Sequence, residues 1–231
     1  MPARPSAVPH LSRSREDYLK ALYALAAGRG SVSTSRLAAQ LSVSAPSVTN
    51  MLACLAGEGL VAYTPRVGAR LTGQGRRRAL ALVRRHRILE TFLVRVLRLD
   101  WAEVHEDAEV LEHHVSERVL DAIDRLVGHP AEDPHGHAIP DRAGRMPHRL
   151  LEPLASLREG SRATVREILD HDGRRMAGWK EAGLVPGARI RIRAVRGVEG
   201  VIEIEVAGRR YVTGMAGLEG VLVEPHGGRT A

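Results

Sequence analysis

A change of hydrophobic period near residue 150 divides this chain into two parts of different architecture. Up to about residue 127, apolar residues recur every three or four positions, which is the spacing of amphipathic helices. After residue 149, short segments of alternating polarity are separated by glycine-bearing turns: RATVREIL, ARIRIRAV, VIEIEVA, RRYVT and GVLVEP. The sequence therefore predicts a helical part, a linker over the Pro-, Gly- and His-rich residues 128–149, and a small β-barrel with one helix near RMAGWKEAG.

The helical part contains a pattern that is typical of DNA-binding domains. A short helix, TSRLAAQL, meets the turn SVS and a second helix starting APSVTNML, with Ser44 as its N-cap and Pro46 in its first turn. The segment LVAYTPRVGARLT then predicts two short strands with a basic connection. A bare helix-turn-helix is more often an ordinary helical corner. The basic hairpin and the net charge of +7 instead favour a winged helix-turn-helix, whose second helix lies in the major groove of DNA.

The expected DNA contacts follow from this arrangement. The residues expected at base edges or phosphates occupy the start of the second helix: Ser44, Ala45, Pro46, Ser47, Thr49 and Asn50. The hairpin adds Arg66 and Arg70, which we expect to contact phosphates or the minor groove. Because the second helix contains no Arg or Lys, we expect sequence preference to depend on DNA shape and thymine contacts rather than on guanine readout.

The stretch EVLEHHV, residues 109–115, puts four polar, metal-capable side chains into a segment that otherwise predicts one apolar helix over about residues 101–127. At about 100° per residue, several of these side chains and a preceding histidine share an arc of about 100°, and His114 points to the opposite side. The side chains in the arc are His105, Glu109, Glu112 and His113. On the preceding helix, His86 and Glu90 share one face because they are four residues apart.

These six side chains together predict a site for a divalent cation. Each pair alone is more often a solvent-exposed salt bridge. Burying all of them beside an apolar stripe without a cation would cost several kcal/mol, because carboxylates lose water and repel one another. No second group of residues suited to nucleophilic catalysis accompanies them, so the site indicates a sensor rather than an enzyme.

Five stretches, taken in their order and spacing, carry a resemblance to a known family: SREDYLKALYAL, LSVSAPSVTNMLACLAGEGLV, RHRILETFL, VHEDAEVLEHHV and GHPAEDPHGHAIP. Over essentially its whole length, the chain resembles the diphtheria toxin repressor family, which includes iron-dependent and manganese-dependent regulators. The C-terminal strands resemble, less specifically, the SH3-like (FeoA-like) barrel of that family. The resemblance implies a homodimer that binds double-stranded DNA with a palindromic operator when loaded with Mn²⁺ or Fe²⁺, and that represses metal-uptake genes.

The expected fold class is therefore α+β, with a winged helix-turn-helix, an all-α dimerisation domain and a C-terminal SH3-like barrel. The expected divisions are a disordered N-terminus over 1–13, the DNA-binding domain over 14–74, the dimerisation and metal-binding domain over 75–140, a linker over 141–156 and the barrel over 157–231. In the mechanism that the resemblance implies, a metal joins the first helix to the dimerisation helices and fixes the angle of the DNA-reading head.

The resemblance also implies a division of the ligands. Those that match the family's primary site are Asp17, Glu109, Glu112 and His113. Those that match its ancillary site are His86, Glu90 and His105, and the barrel offers Asp172 as its nearest carboxylate. His86 and Glu109 also match the two-metal cluster of the manganese branch. An alternative for Asp17 is a capping box with Ser14, in which the carboxylate serves its own helix.

Two departures from the family pattern bear on the choice of metal. Asp17 and Glu109 stand where the iron-dependent branch has Met and Cys, and this exchange of sulfur for oxygen favours Mn²⁺ over Fe²⁺. Lys20 stands where the manganese branch has a carboxylate ligand, so the binuclear arrangement of that branch is not preserved intact.

Two other functions remain open at this level. One is a winged-helix regulator gated by an organic ligand, in which the polar cluster is only a network of salt bridges. The other is a metal-dependent hydrolase that uses Glu112 and His113, which would leave the helix-turn-helix without a role.

Other features indicate the compartment. The N-terminal MPARPSAVPHLSRSRED has no apolar run, and no segment approaches the roughly 20 apolar residues that span a bilayer, so we expect a cytoplasmic protein with no membrane partner. The single cysteine, Cys54, fits a reducing compartment, and we expect it in the core. Histidines of the linker are expected to be structural or surface residues: His129, His135, His137 and His148.

Overall fold

The computed structural model of the chain describes residues 11–26, 30–147, 149–169 and 172–226. The chain divides into two compact units. The first unit is formed by Met1–Arg84 with Arg142–Gly144, and the second by Arg85–Asp141 with Arg145–Ala231. Most of the predicted N-terminal segment, and His148, lie outside the described residues. Every helix in the described part of the chain is too short or too polar to cross a membrane.

The first unit contains the predicted helix-turn-helix and hairpin. Its elements are α1 (Arg13–Ala26), α2 (Thr34–Leu41), α3 (Ala45–Gly57), β1 (Val61–Thr64) and β2 (Gly68–Leu71). Ser33 and Ser44 start α2 and α3 in the same way, because each side chain accepts a hydrogen bond from the backbone N–H three residues later. Between the two helices, Ser42 takes a left-handed conformation (φ 53°), which ends α2.

An apolar core fixes these elements to one another. Its fully buried side chains come from all three helices: Leu19, Leu22, Leu37, Val48, Leu52 and Leu55. The hairpin joins this core through Ala69 of β2, which pairs with Val32 ahead of α2. Gly68 starts β2 at φ +117°, and a Cβ there would lie 2.5 Å from the Val32 carbonyl oxygen. The hairpin is therefore docked against the helices rather than free.

The helices after the hairpin differ from the prediction. After α4 (Gly73–Arg95), the single helix expected over residues 101–127 is two helices, α5 (Val104–Leu111) and α6 (Glu117–Leu126). The expectation of one helix was wrong because the apolar spacing continues across the break. Ser116 ends that continuity: its backbone is extended, and its side chain caps α6 by accepting from the Val119 N–H.

The second unit also contains the β domain that the sequence predicts. Its strands are β3 (Glu152–Pro153), β4 (Arg162–Ile168), β5 (Arg189–Arg196), β6 (Val201–Val206), β7 (Arg209–Gly214) and β8 (Val221–Pro225). They form an antiparallel sheet in the order β3-β8-β4-β5-β6-β7, and α7 (Gly173–Glu181) lies between β4 and β5 in sequence. Trp179 and Met176 of α7 belong to the same apolar cluster as the inward side chains of the strands.

Residues 132–138, which we call the histidine loop, are ordered by contacts that a linker would lack. The Asp133 carboxylate accepts the backbone N–H groups of His135 (2.8 Å) and His137 (3.0 Å). The His135 carbonyl accepts the Ile168 N–H of β4 (3.0 Å), and His135 is only 1% exposed. The interpretation of this segment as part of a linker was therefore wrong, because the loop is packed against the β domain.

Candidate functional site

A buried polar cluster lies where α4 meets α5 in the second unit. His86 and Glu90 are one turn apart on α4, and His105 is on the first turn of α5. The His86 Nε2 atom lies 3.0 Å from Glu90 Oε1 and 3.1 Å from His105 Nδ1. The His105 Nδ1 atom lies 3.2 Å from the same carboxylate oxygen. One ligand atom from each residue lies within 4.8 Å of the others, which is close enough for a single ion.

Glu112 extends this cluster from the break between α5 and α6. Its side chain is fully buried, and its Oε2 atom lies 2.6 Å from Nδ1 of His86. His86 therefore bridges two buried carboxylates, one at each ring nitrogen. Arg85 holds the break in place, because its guanidinium donates to the carbonyls of Glu112 (2.7 Å) and Val115 (3.2 Å).

The histidine loop brings residues to the cluster that the sequence analysis missed. The Nε2 atom of His135 donates to the Trp101 carbonyl (2.7 Å), which leaves Nδ1 as the titrating nitrogen. That Nδ1 atom is buried, lies 3.6 Å from Glu90 Oε2, and has no hydrogen-bond partner among the described residues. Asp133, His135 and His137 also have ligand atoms within 4.8 Å of one another. The alternating pattern Asp-x-His-x-His was the available signal for this group.

The carboxylates and histidines of the cluster shift the pKa values of Glu90 and His135. Burial opposes ionisation of Glu90, but the charge on His86 and the hydrogen bonds from His105 and His86 outweigh it, so the pKa of Glu90 lies well below its usual range. Burial likewise opposes the charge on His135, yet the nearby carboxylates of Glu90 and Asp133 raise the pKa of His135. An ionised Glu90 is therefore held beside His135, whose charged form is favoured.

This donor set fits a divalent cation. Imidazole nitrogens and carboxylate oxygens suit first-row divalent ions, and the buried carboxylates supply the negative charge that such an ion would neutralise. The position of His135 Nδ1 is the observation that tests the fit, because it is a buried nitrogen that faces Glu90 with no hydrogen bond. A cation at this point would replace the proton.

Among the other predicted ligands of the second unit, Glu109 and His113 lie at the edge of this cluster and Asp172 lies on α7. Glu109 is 48% exposed, with its carboxylate 3.6 Å from His105 Nε2, and the buried His113 ring lies 3.7 Å from Glu112. Asp172 caps α7 by accepting the backbone N–H groups of Arg174 and Arg175, which gives it a role without a metal. Asp17 is on α1 of the first unit. Because α1 begins at Arg13, Ser14 is not its N-cap, which removes the capping-box alternative.

The predicted DNA-contacting residues are exposed on two elements of the first unit, α3 and the hairpin. All six residues at the start of α3 are exposed, while Val48 between them is buried in the core. Ser44 uses its hydroxyl for capping, and the Thr49 hydroxyl donates to the Ala45 carbonyl (3.1 Å). Arg66 and Arg70 of the hairpin are also exposed, so their guanidinium groups are accessible to phosphates.

The expectation that Cys54 lies in the core was wrong. Cys54 is exposed on α3, and its Sγ accepts a hydrogen bond from the Arg15 guanidinium (3.2 Å). Arg15 also forms an ion pair with Glu58 (3.0 Å). The position follows from helical geometry, because Cys54 lies one residue before the buried Leu55 and rotates away from the core.

Comparison with known proteins gives matches along nearly the whole chain. Residues 10–69 match the family described as iron dependent repressor, N-terminal DNA binding domain, and residues 72–141 match iron dependent repressor, metal binding and dimerisation domain. Residues 152–225 match the FeoA domain. The iron-dependent repressor IdeR of Mycobacterium tuberculosis (strain ATCC 25618 / H37Rv) is 31% identical over 210 residues, which cover 86% of this chain and 90% of that protein.

Relatives named for manganese match as well. The HTH-type transcriptional regulator MntR of Bacillus subtilis (strain 168) is 36% identical over 120 residues, which cover 52% of this chain and 84% of that protein. A solved structure described as a manganese-dependent transcriptional repressor in complex with manganese superposes with a TM-score of 0.85 and is 37% identical. That match covers 92% of this chain and 100% of the other. The similarity therefore extends to proteins named for either metal.

Proposed function

Because this chain belongs to the diphtheria toxin repressor family of iron- and manganese-dependent repressors, we propose that it represses transcription by binding DNA when a divalent cation occupies the buried cluster around His86 and Glu90. It is a DNA-binding regulator, and the family consists of regulators rather than enzymes. The observation that carries the proposal is the convergence of buried imidazoles and carboxylates from α4, α5 and the histidine loop.

We propose a specific ligand set for this site. The set is His86, Glu90, His105, Glu112 and His135, with Glu109, His113 and Asp133 beside it. When bound, the cation supplies the positive charge that the buried carboxylates lack and links the segments that carry them. The ligand atoms of this set are nitrogen and oxygen, and the only cysteine of the chain is on α3 of the first unit. A site without sulfur favours Mn²⁺ over Fe²⁺.

The residues of the cluster suggest how the site is coupled to DNA binding. His86 contacts both Glu90 and Glu112, so ordering of this ring fixes α4 against the end of α5. We propose that this ordering favours the conformation that binds DNA, with Asp17 of α1 as a further ligand. A coupling of about 1–3 kcal/mol would tighten DNA binding about 5- to 150-fold, and DNA would tighten metal binding by the same factor.

The biological setting is part of the same proposal. The family's dimerisation domain supports a homodimer. Two copies of α3 would then read a palindromic operator whose half-sites are about 34 Å apart. We propose that the protein acts in the cytoplasm and represses metal-uptake genes when the metal is sufficient.

Selection of genomic duplex fragments by the purified protein tests this function. The selection is run at fixed salt with Mn²⁺, with Fe²⁺ under anaerobic conditions, with Zn²⁺ and with EDTA. We expect one palindromic sequence to be enriched only with metal, and most strongly with Mn²⁺. Enrichment that survives EDTA would remove the metal from the mechanism and favour a regulator gated by an organic ligand.

The hairpin arginines give a separate prediction. Arg66→Ala or Arg70→Ala should weaken binding to all duplexes alike, because phosphate contacts carry no sequence information. The slope of log K against log salt should become shallower by about one unit for each lost contact. Arg174→Ala, an exposed arginine of α7 in the second unit, is the control of equal charge. A loss of affinity confined to one operator would show base readout instead.

A further inference from the structure

The outward face of the β domain carries a dense band of arginine side chains. Successive residues of a strand point to opposite faces, and the inward positions of β4 and β5 hold the buried Ala163, Val165, Ile190 and Ile192. The outward positions of these two neighbouring strands are Arg162, Thr164 and Arg166 on β4, and Arg189, Arg191 and Arg193 on β5. The sheet therefore presents five guanidinium groups from two hydrogen-bonded strands on one face.

The strand register places like charges opposite one another. Arg162 of β4 pairs directly with Arg191 of β5, and like charges in this position destabilise a sheet. The nearby carboxylates do not relieve the repulsion. Glu224 is paired with Arg166, and Glu205, which lies opposite Arg191 on β6, is paired with Arg193.

Three arginines are left with excess positive charge. Across the described part of the chain, Arg162, Arg189 and Arg191 form no ion pair with a carboxylate. The Nε atom of Arg191 is buried and has no hydrogen-bond partner among those same residues. An N–H group that is buried without an acceptor costs free energy, so a conformation of Arg191 that turns this group towards an acceptor in the groove would be favoured.

These side chains line a groove rather than a flat surface. The groove has a volume of about 850 Å³, within the range of small-molecule sites, and the three unpaired arginines all line it. The Thr164 hydroxyl and the His226 ring, which are 2.7 Å apart, add polar groups to the same lining. Glu205 and Glu224 also line the groove, so the site is concave, carries a net positive charge and is supplied with several donors.

We propose that this arginine groove binds a compact, multiply charged phosphate compound, an oligophosphate either free or carried on a nucleotide. Guanidinium groups bind phosphate oxygens in a bidentate manner, and three of them on adjacent strands can contact successive phosphoryl groups. A compact oligophosphate can enter the groove, whereas the phosphates of duplex DNA lie on a convex surface. This site is independent of the cation cluster and of the surface on α3.

The test is calorimetric titration of the full-length, metal-free protein with inorganic triphosphate. The metal is left out because triphosphate itself binds divalent cations. We expect saturable binding at one site per chain. Arg191→Gln or Arg162→Gln should weaken it at least 10-fold. Arg196→Gln, at the end of the same strand but outside the groove, should leave it unchanged.

Thermal unfolding of the same proteins shows whether a loss of triphosphate binding comes from a loss of folding. Removing one of two facing positive charges should not lower the melting temperature, and triphosphate should raise it for the unaltered protein and for Arg196→Gln only. Absence of saturable binding, or equal binding by Arg191→Gln, would overturn the proposal. The proposal would also be overturned if triphosphate does not bind and Arg191→Gln lowers the affinity of the protein for a short random duplex. The groove would then be a DNA contact.

Discussion

Glu112→Gln should abolish the response of DNA binding to metal while leaving the fold intact. Glu112 is fully buried, and its carboxylate lies 2.6 Å from His86 at the centre of the proposed site. Glutamine keeps the volume of the side chain but removes the negative charge that a divalent cation requires. The affinity for the selected operator at saturating Mn²⁺ should fall to the value in EDTA, which is a loss of about 5- to 150-fold.

Fluorescence anisotropy of the labelled operator measures this loss. Glu106→Gln is the matched control, because Glu106 is an exposed glutamate on α5, the helix that ends just before Glu112. His113→Ala should reproduce the effect of Glu112→Gln if both residues serve the site. If Mn²⁺ still increases operator affinity as before in both Glu112→Gln and His113→Ala, the assignment of the site is wrong.

Gly136→Ala should destabilise the second unit by at least about 2 kcal/mol, which is more than most single substitutions cost. Gly136 has φ +87°, and a Cβ there would lie 1.7 Å from the Arg166 carbonyl oxygen of β4. Because that oxygen belongs to the backbone of a paired strand, the histidine loop must move instead. The same substitution should weaken Mn²⁺ binding, because Gly136 separates His135 from His137.

Urea unfolding followed by tryptophan fluorescence measures this effect on the second unit alone. Both tryptophans of the chain, Trp101 and Trp179, belong to that unit. Gly187→Ala is the control, because Gly187 has nearly the same φ (+89°) but no atom within 4 Å of the added Cβ. It should cost only the strain of a left-handed alanine, about 1–2 kcal/mol. Equal losses for the two substitutions would show that the close approach to β4 has no effect.

Local signals were sufficient to predict the fold class and most of the elements. Ser44 with Pro46 starts α3, and strict alternation of polarity identifies the strands of the β domain. The break between α5 and α6 was missed because Leu111, Val115 and Val119 continue the helical spacing across it. The capping signal of Ser116 was present but competed with that longer pattern.

The site was only partly predictable, for a different reason. His86, Glu90, His105 and Glu112 were identified because helical spacing places them on shared faces. His135 was missed because its burial depends on β4, more than 30 residues later, whose Ile168 N–H binds the loop carbonyl. The composition of the histidine loop is that of a linker, and no local signal indicates what it packs against.

Because of the histidine loop, the proposed metal site and the β domain must evolve together. Two contacts join this loop to β4: the His135 carbonyl accepts the Ile168 N–H, and Gly136 lies against the Arg166 carbonyl. A recombination that exchanged this barrel for an unrelated domain would remove both contacts at once. His135 would then no longer be fixed beside Glu90. This loss would occur even if the exchanged segment contained no proposed ligand. The β domain therefore supports the site structurally. Only replacements that keep the contacts of β4 with the histidine loop would preserve the site.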